Sequence, residues 1–400
     1  MNPPSARKIA IACGGTGGHL FPGVAVGEHL VRRGCAVTLL VSAKDIDQQA
    51  VKTAAGMEVV TLPGVGLSRG RWTAFARGFM QSYRAARKHF QANPPDAVLA
   101  MGGFTSAPPI LAGKKSGART FLHESNTIPG RATRWLSWVA DQVFVGFPQA
   151  GAKLHNNNIS CTGTPVRPQF QPRDAAACRT ALGLDPDRPV VLVMGGSQGA
   201  SGLNELVMKA LPVLAKTNPA QTQFQLLHLA GPNDSEKIRN VCAALNVKAI
   251  VHPFLAEMDL ALGAATVAVS RAGASSLAEL AAVRVPSILV PFPAATDNHQ
   301  FYNARAFEKD GAARLLEQNG AKPETLAGLI SELLGDERAR VTMKAALAKW
   351  HSPKAAEQIA EIILTAIQRW REQCGEQTTG PGSSCGCGRG DHRVELKSIA

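Results

Sequence analysis

Short apolar runs recur along the chain, separated by longer stretches with helical spacing. In the first half, Lys8 to Ala12, Ala36 to Val41, Ala97 to Ala100, Thr120 to His123 and Gln142 to Val145 read as strands, and Phe21 to Arg33 as a helix that stops at Gly34. The runs are apolar almost throughout rather than alternating, which predicts strands covered on both faces, as in a parallel sheet. The pattern then restarts. Pro189 to Met194, Phe224 to Leu229, Ala249 to Val251, Val267 to Ser270 and Ser287 to Val290 read as strands, with a helix from about Gln198. Between the two series, Pro165, Pro168 and Pro172 stiffen the chain. The expected fold is α/β: two doubly wound domains, 1–163 and 174–350, facing a cleft and joined by a linker over 164–173. Helical spacing returns from Pro353 to Arg371, with Ile359, Ile362, Ile363 and Ile367 on one side, so 351–373 is expected to pack back on the first domain as a helix. Gly375 to Gly390 holds six glycines and no apolar side chain except two cysteines, so 374–400 reads as a flexible tail.

Composition narrows the functional classes. With 400 residues, 45 % hydrophobic and 18 % charged, the chain has material for two cores, and a disordered class is excluded for most of it. No run approaches the roughly 18 apolar residues of a membrane-spanning helix, and Met1 to Lys8 lacks the apolar stretch of a signal peptide. A cytoplasmic protein that does not cross a bilayer is expected. The net charge of +13, from 43 Lys and Arg against 30 Asp and Glu, favours anionic partners: nucleic acid, acidic lipid or phosphate-bearing substrates. The eight cysteines are scattered, with one C-x-C at Cys385 and Cys387 and no C-x-x-C pair, so neither a disulfide framework nor a zinc site is assigned.

Candidate chemistry lies where strands end. The first strand runs into Gly14-Gly15-Thr16-Gly17-Gly18-His19. Glycines there let backbone approach a ligand, and a following helix N-terminus offers free N–H groups to an anion. A dinucleotide fingerprint is absent, because Leu20 occupies the third glycine position counted from Gly15, and no Walker-type loop occurs. The device repeats at Gly195-Gly196-Ser197-Gln198-Gly199, one junction per half, which points to a ligand held between the domains. A third junction, Arg271 to Glu279, opens a helix with small residues, and Ser275, Ser276 and Glu279 there suit either a nucleoside diphosphate or a simple capping arrangement. Asp297-Asn298-His299-Gln300, with Asn303 beyond, suits sugar hydroxyls or an N-cap by Asp297. His123-Glu124-Ser125-Asn126 follows another strand, and Ser125 lacks the G-x-S-x-G elbow of a hydrolase. Asp45-Ile46-Asp47 and Asp185-Pro186-Asp187 match Asp-x-Asp by letter, but read as cap and turn residues, so no metal is assigned.

Between Val59 and Pro95 no acidic residue occurs. Arg69, Arg71, Arg77, Arg84, Arg87 and Lys88 alternate there with Leu67, Trp72, Phe75, Phe79, Met80 and Tyr83. A basic amphipathic helix with aromatics reads as a contact with an anionic membrane surface, or as a core helix with solvated arginines. No nucleic-acid recognition motif accompanies the charge, so no nucleic acid is expected.

Taken together, the first glycine loop, Met101-Gly102-Gly103-Phe104, His123 to Asn126, Gly163-Thr164-Pro165-Val166-Arg167, Gly195 to Ala200 and Ser270 to Ala274 resemble the MurG family over about Lys8 to Arg371. These are the undecaprenyl-diphospho-muramoylpentapeptide N-acetylglucosaminyltransferases. The resemblance implies two Rossmann-like domains of the GT-B type, the first facing acceptor and membrane, the second binding the UDP-sugar. It implies inverting transfer of N-acetylglucosamine from UDP-N-acetylglucosamine (UDP-GlcNAc) to the C4 hydroxyl of the muramoyl sugar of lipid I, giving lipid II for peptidoglycan synthesis. The reaction would occur at the cytoplasmic face of the bacterial cell membrane, by a peripheral enzyme without cofactor or catalytic metal, helix N-termini and cations stabilising the leaving UDP.

Carried over by residue, His19 is the expected general base, and Thr16, Gly17 and Gly18 would be part of the sugar-nucleotide and acceptor diphosphate region. Asn126 would touch the N-acetylglucosamine, Arg167 and Ser197 the diphosphate, and Leu255 the uracil through its backbone. Ala274, Ser275, Ser276, Leu277, Ala278 and Glu279 would hold phosphates and ribose, and Gln300 the sugar hydroxyls. Lys114 and Lys115 depart from the more apolar surface expected there, and the tail after Cys374 has no counterpart. Another GT-B sugar-nucleotide enzyme, a lipid glycosyltransferase or an epimerase, is the alternative within enzymes, and a basic nucleic-acid binder is the alternative outside them.

Overall fold

A computed structural model describes residues 6–15, 17–43, 54, 56–64, 72–196, 199–217 and 224–378. The first sheet contains β1 (Lys8–Ala12), β2 (Ala36–Ser42), β3 (Glu58–Leu62), β4 (Ala97–Ala100), β5 (Arg119–Glu124), β6 (Gln142–Val145) and β7 (Ile159–Cys161). Their order is β3-β2-β1-β4-β5-β6-β7, and every pairing is parallel. The second sheet contains β8 (Val190–Met194), β9 (Gln225–Leu229), β10 (Ala249–His252), β11 (Val267–Ser270), β12 (Ser287–Leu289) and β13 (Arg314–Leu315), in the order β10-β9-β8-β11-β12-β13, again all parallel. The central strands β4, β6, β8, β9 and β11 are buried at every position. Continuous apolar runs form them because helices cover both faces.

The strand order of each sheet reverses once, between β1 and β4 in the first and between β8 and β11 in the second. Register aligns the strand ends there, Ala12 with Ala100 and Met194 with Ser270. Loops leaving two such neighbouring strands diverge to opposite faces of the sheet and leave a crevice at the carboxyl edge. The glycine segments after Ala12, Ala100, Met194 and Ser270 all start at these crevices, so topology alone gathers them.

The helix Gly17–Arg32 begins four residues earlier than the apolar spacing indicates and contains Pro22. Proline lacks the N–H that would bond the carbonyl four residues back, so the Gly18 carbonyl is left available at the helix start. The final helix, Ala355–Thr378, runs beyond the expected end at 373. Ile359, Ile363 and Ile367 are buried in the first domain's core with Ile9, Ile11 and Leu39. Its flank is tied by Arg33 to Glu361 at 2.8 Å and Arg371 to Asp96 at 2.6 Å. The chain therefore crosses between domains twice, and the crossings touch: a Cβ on Gly163 would lie 2.2 Å from Ser352 Oγ. Beside them Phe147 packs on Phe307 and Trp350, with ring centroids 6.3 and 5.3 Å away.

Candidate active site

The first-domain wall is built from three strand ends. A Cβ on Gly14 would lie 2.5 Å from the Ser42 nitrogen, so only glycine lets β1 leave the sheet beside β2. Thr105 Oγ1 donates to the Gly14 carbonyl at 2.7 Å, tying the turn after β4 to this loop. The His19 ring lies against the same turn: a Cβ on Gly102, where φ is +110°, would stand 2.9 Å from His19 Cε1. Thr16 lies outside the described residues, and Gly17 and Gly18 form the first helical positions.

The loop after β5 is organised by a buried carboxylate. Glu124 Oε1 accepts from Asn126 N and Nδ2, both at 3.0 Å, and Oε2 accepts from Gly130 N at 3.0 Å. Both oxygens thus hold the 124–130 loop. Behind it, buried His123 donates from Nε2 to the Gly163 carbonyl at 3.0 Å, which leaves Nδ1 to accept from Ser125 Oγ at 3.2 Å. Burial pushes the His123 pKa down, so the ring is neutral and joins the loop to the first domain crossing.

On the second-domain wall, the helix Ala274–Val283 starts at Gly273 with no side-chain cap. The capping arrangement of Ser275 with Glu279 does not form. Ser275 Oγ instead donates across the cleft at 2.8 Å to the Gly18 carbonyl that Pro22 leaves available. Ala274, Leu277 and Ala278 line a small interdomain pocket with Gly146, Phe147 and Val166. Gln300 Oε1 accepts from Phe292 N at 3.0 Å and Ala272 N at 3.3 Å, so its carbonyl end is committed to backbone. Leu255 packs against the second-domain core, while its neighbour Phe254 is exposed. Ser197 lies outside the described residues.

Arg271 is a buried cation. Its Nη1 donates to the carbonyls of Val290 and Pro291, and Nη2 to Gln318 Oε1 at 2.6 Å, all neutral acceptors. Burial pulls its pKa down to about 10, so it stays charged at neutral pH. A positive charge at the end of β11 that meets only neutral acceptors among the described residues favours an anion in the adjoining crevice.

Arg167 and Glu279 influence each other's charge across the cleft. The Arg167 guanidinium stacks over Phe21 at 4.2 Å and Phe170 at 5.1 Å. Burial lowers its pKa, and Glu279, Asp259 and Glu28 oppose that. Burial raises the Glu279 carboxyl to about 7, with Arg167 pulling the other way.

A polar seam joins the two walls of the cleft. Asn303, fully buried, accepts through Oδ1 from Thr127 N and Oγ1, both at 2.9 Å, and donates to Asn126 Oδ1 at 3.0 Å. Asp297 is not an N-cap. It lies in the left-handed region with φ of 50°, and Asn298 stands at the cap without a side-chain bond. The Asp297 carboxylate instead pairs with Arg134 at 2.8 Å and Arg131 at 3.7 Å from the first domain. The site reading thus misses Thr105, Thr127, Arg131 and Arg134. Asn303 is within its reach because it lies one helical turn after Gln300. Among the described residues, no group of three His, Cys, Asp or Glu side chains is placed to hold a metal ion.

Comparison with known proteins accounts for this arrangement. Residues 9–145 match the glycosyltransferase family 28 N-terminal domain, and residues 190–359 match the family 28 C-terminal domain. A transferase from Anaeromyxobacter dehalogenans is 35 % identical over 386 residues, covering 94 % of this chain and 97 % of the relative. The chain belongs to the MurG family of family 28 glycosyltransferases. The Anaeromyxobacter relative is named UDP-N-acetylglucosamine–N-acetylmuramyl-(pentapeptide) pyrophosphoryl-undecaprenol N-acetylglucosamine transferase. A protein of the same name from Listeria welshimeri is 34 % identical over 89 % of this chain and 99 % of its own length. Among solved structures, MurG from Acinetobacter baumannii superposes with a TM-score of 0.69 at 25 % identity, over 90 % of this chain and 99 % of that one. A putative UDP-N-acetylglucosamine 2-epimerase from Listeria monocytogenes reaches a TM-score of 0.68 at 16 % identity, a likeness of fold alone. Membership of the MurG family fits two GT-B domains whose switch points face one cleft.

Proposed function

We infer that this chain transfers N-acetylglucosamine from UDP-GlcNAc to the muramoyl sugar of lipid I, giving lipid II for peptidoglycan synthesis. The observation that carries this reading is near-full-length identity to transferases named for that reaction. The division of labour that goes with it assigns 1–163 and the helix from 351 to the acceptor side and 174–350 to the donor.

The residue roles that go with this reading are supported by the family likeness and, for the described residues, by their places at the cleft. The C4 hydroxyl of the muramoyl sugar attacks the anomeric carbon as the bond to UDP breaks on the opposite face. His19, at the mouth of the first crevice, takes the hydroxyl proton. Negative charge grows on the departing diphosphate, which Arg167, the N-terminus of Ala274–Val283 and the segment at Ser197 would face. Arg271 adds buried positive charge to the same crevice. Glu279 would accept from the ribose hydroxyls. Gln300, whose Oε1 is held by backbone, would offer its Nε2 hydrogens to the sugar. Asn126 would touch the N-acetylglucosamine, Thr16, Gly17 and Gly18 would belong to the sugar-nucleotide and acceptor diphosphate region, and the backbone at Leu255 would meet the uracil.

The enzyme would work as a peripheral protein at the cytoplasmic membrane face, with the helix Trp72–Ala92 and its neighbours as the contact. On that helix Arg77, Met80, Arg84, Arg87 and Lys88 are exposed, while Ser82, Ala86 and Phe90 are buried. Arg69 and Arg71 lie outside the described residues. Lys114 and Lys115 end the adjoining helix Ala107–Lys115. No described helix is long and apolar enough to cross a membrane.

The deciding experiment incubates the chain with radiolabelled UDP-GlcNAc and a lipid I analogue. Label should move into the lipid extract only when the acceptor is present. Conversion of UDP-GlcNAc to its 2-epimer without acceptor would overturn the reading in favour of an epimerase.

A further inference from the structure

Behind the second glycine loop lies a polar group that the proposed reaction does not use. His228, the fourth residue of β9, which lies between β8 and β10, is fully buried. Its Nε2 and Asn204 Oδ1 lie 2.9 Å apart. The Asn204 amide nitrogen faces two acceptors, the Ala230 carbonyl at 2.8 Å and Asp234 Oδ2 at 2.9 Å. Only an NH2 group satisfies both, so Asn204 Oδ1 must point to His228, and His228 must carry its proton on Nε2. Burial drives the His228 pKa down to about 4, so the ring is neutral. Its Nδ1 is buried without a hydrogen-bond partner among the described residues. An unsatisfied acceptor in a core is unfavourable. A leucine would avoid it, and what the histidine supplies in return is the Nε2 proton on Asn204.

That proton has a route to the donor site. Asn204 sits in the first turn of Ser201–Thr217, where its N–H bonds the Ala200 carbonyl at 2.9 Å. The Ala230 carbonyl it holds is the atom the glycine loop packs on: a Cβ on Gly199, where φ is +76°, would lie 2.8 Å from it. Gly231, the next residue, is 2.9 Å from the same point. Asp234, whose pKa is lowered by hydrogen bonds from Asn204 and Ser201, closes the other side of the turn. The turn after β9 and the backbone at Gly199 are therefore set at a fixed separation by one amide, and that amide is oriented by one imidazole.

We propose that His228 is a positioning residue for donor binding, acting through Asn204 and the Ala230 turn on the backbone at Gly199, just ahead of the helix Ser201–Thr217. The inference rests on the transferase reading for the identity of the ligand. His228 touches no reacting atom, and its effect is on where Gly199 and the first turn of Ser201–Thr217 stand when the donor binds. Loss of the Nε2 proton frees the Asn204 amide to rotate, and the Ala230 turn then moves off Gly199.

The test uses the full chain with UDP-GlcNAc and a lipid I analogue, and calorimetry with UDP alone. In His228→Leu the donor KM and the UDP Kd should both rise about tenfold, the typical effect of one lost buried hydrogen bond, while kcat stays within about threefold of wild type. His228→Gln, which places an amide N–H near the Nε2 position, should recover most of the affinity. Asp234→Ala removes the other partner of Asn204 and should raise the UDP Kd in the same direction, so the inference stays testable if His228→Leu does not fold. Unchanged UDP affinity in either folded variant overturns it, as does equal loss in the Leu and Gln variants. A wild-type chain that binds UDP but transfers no sugar overturns the transferase reading instead, and the UDP titrations still decide the role of His228.

Discussion

Glu279 carries two opposing pH dependences. Its carboxyl is raised by burial from 4.5 to about 7. The folded state therefore holds this proton more tightly than the unfolded chain, and stability should fall as pH rises from about 4.5 to about 7. Ribose hydroxyls donate best to the ionised carboxylate, so donor affinity should rise over the same window, with release of a proton on binding. Melts across this range, paired with calorimetry in two buffers of different ionisation enthalpy, check both signs. In Glu279→Ala, UDP-GlcNAc affinity should fall by roughly 1.5–3 kcal/mol, the range for a hydrogen bond to a charged group, while the melting temperature at pH 7 does not fall. Lower stability with intact affinity would assign Glu279 a structural part only. His19→Ala separates another pair of roles: kcat should drop by about 10²–10⁴ with UDP-GlcNAc still stabilising the protein in a melt. A drop of less than about tenfold would show that His19 is not the base. Glu124 is a weak substitute for it, because both its oxygens already hold the 124–130 loop.

At the scale of elements, what the sequence reveals depends on burial. Strands β4, β6, β8 and β11 are covered on both faces, so their apolar runs stand out. Strands β3, β7 and β13 escape that reading because they lie at sheet edges and are short or half-exposed, which removes the continuous run. The start of the helix Gly17–Arg32 is concealed by glycines and Pro22, poor helix formers that serve the site rather than the helix. The glycine junctions are legible since each follows a legible strand. The contacts that unite them are not, because their partners lie 176 or 257 residues apart. The basic helix Trp72–Ala92 gives the test at this scale. Each cation near an anionic surface contributes on the order of 1 kcal/mol, so Arg84→Glu with Arg87→Glu should markedly weaken sedimentation with anionic vesicles in low salt. Wild-type binding should itself fall as salt rises. Equal binding to neutral and anionic vesicles would remove electrostatics from the contact.

For the whole molecule, the seam between the domains ranks its own contacts by depth. The pair of Asp297 with Arg134 is partly exposed at both ends, 30 % and 39 %. Such pairs contribute about 0–1 kcal/mol and weaken with salt. Asn303 is fully buried and takes up the Thr127 N–H and hydroxyl together. Removing its side chain strands buried donors, at about 1–3 kcal/mol for each unsatisfied group. The same side chain fixes Asn126 Oδ1, whose amide is also held by Glu124, so one change disturbs both walls of the cleft. Asn303→Ala should therefore speed hydrogen exchange at the Thr127 amide and lower kcat/KM by about tenfold or more, the equivalent of ~1.4 kcal/mol. Asp297→Ala should leave Thr127 protected and change kcat/KM by less than about fivefold, with the difference vanishing in high salt. Since β5 and the helix His299–Lys309 belong to different domains, faster exchange at Thr127 in the first variant alone would show that the buried amide, and not the surface ion pair, holds the two sheets in register across the cleft. Equal exchange in the two variants would reverse that ranking.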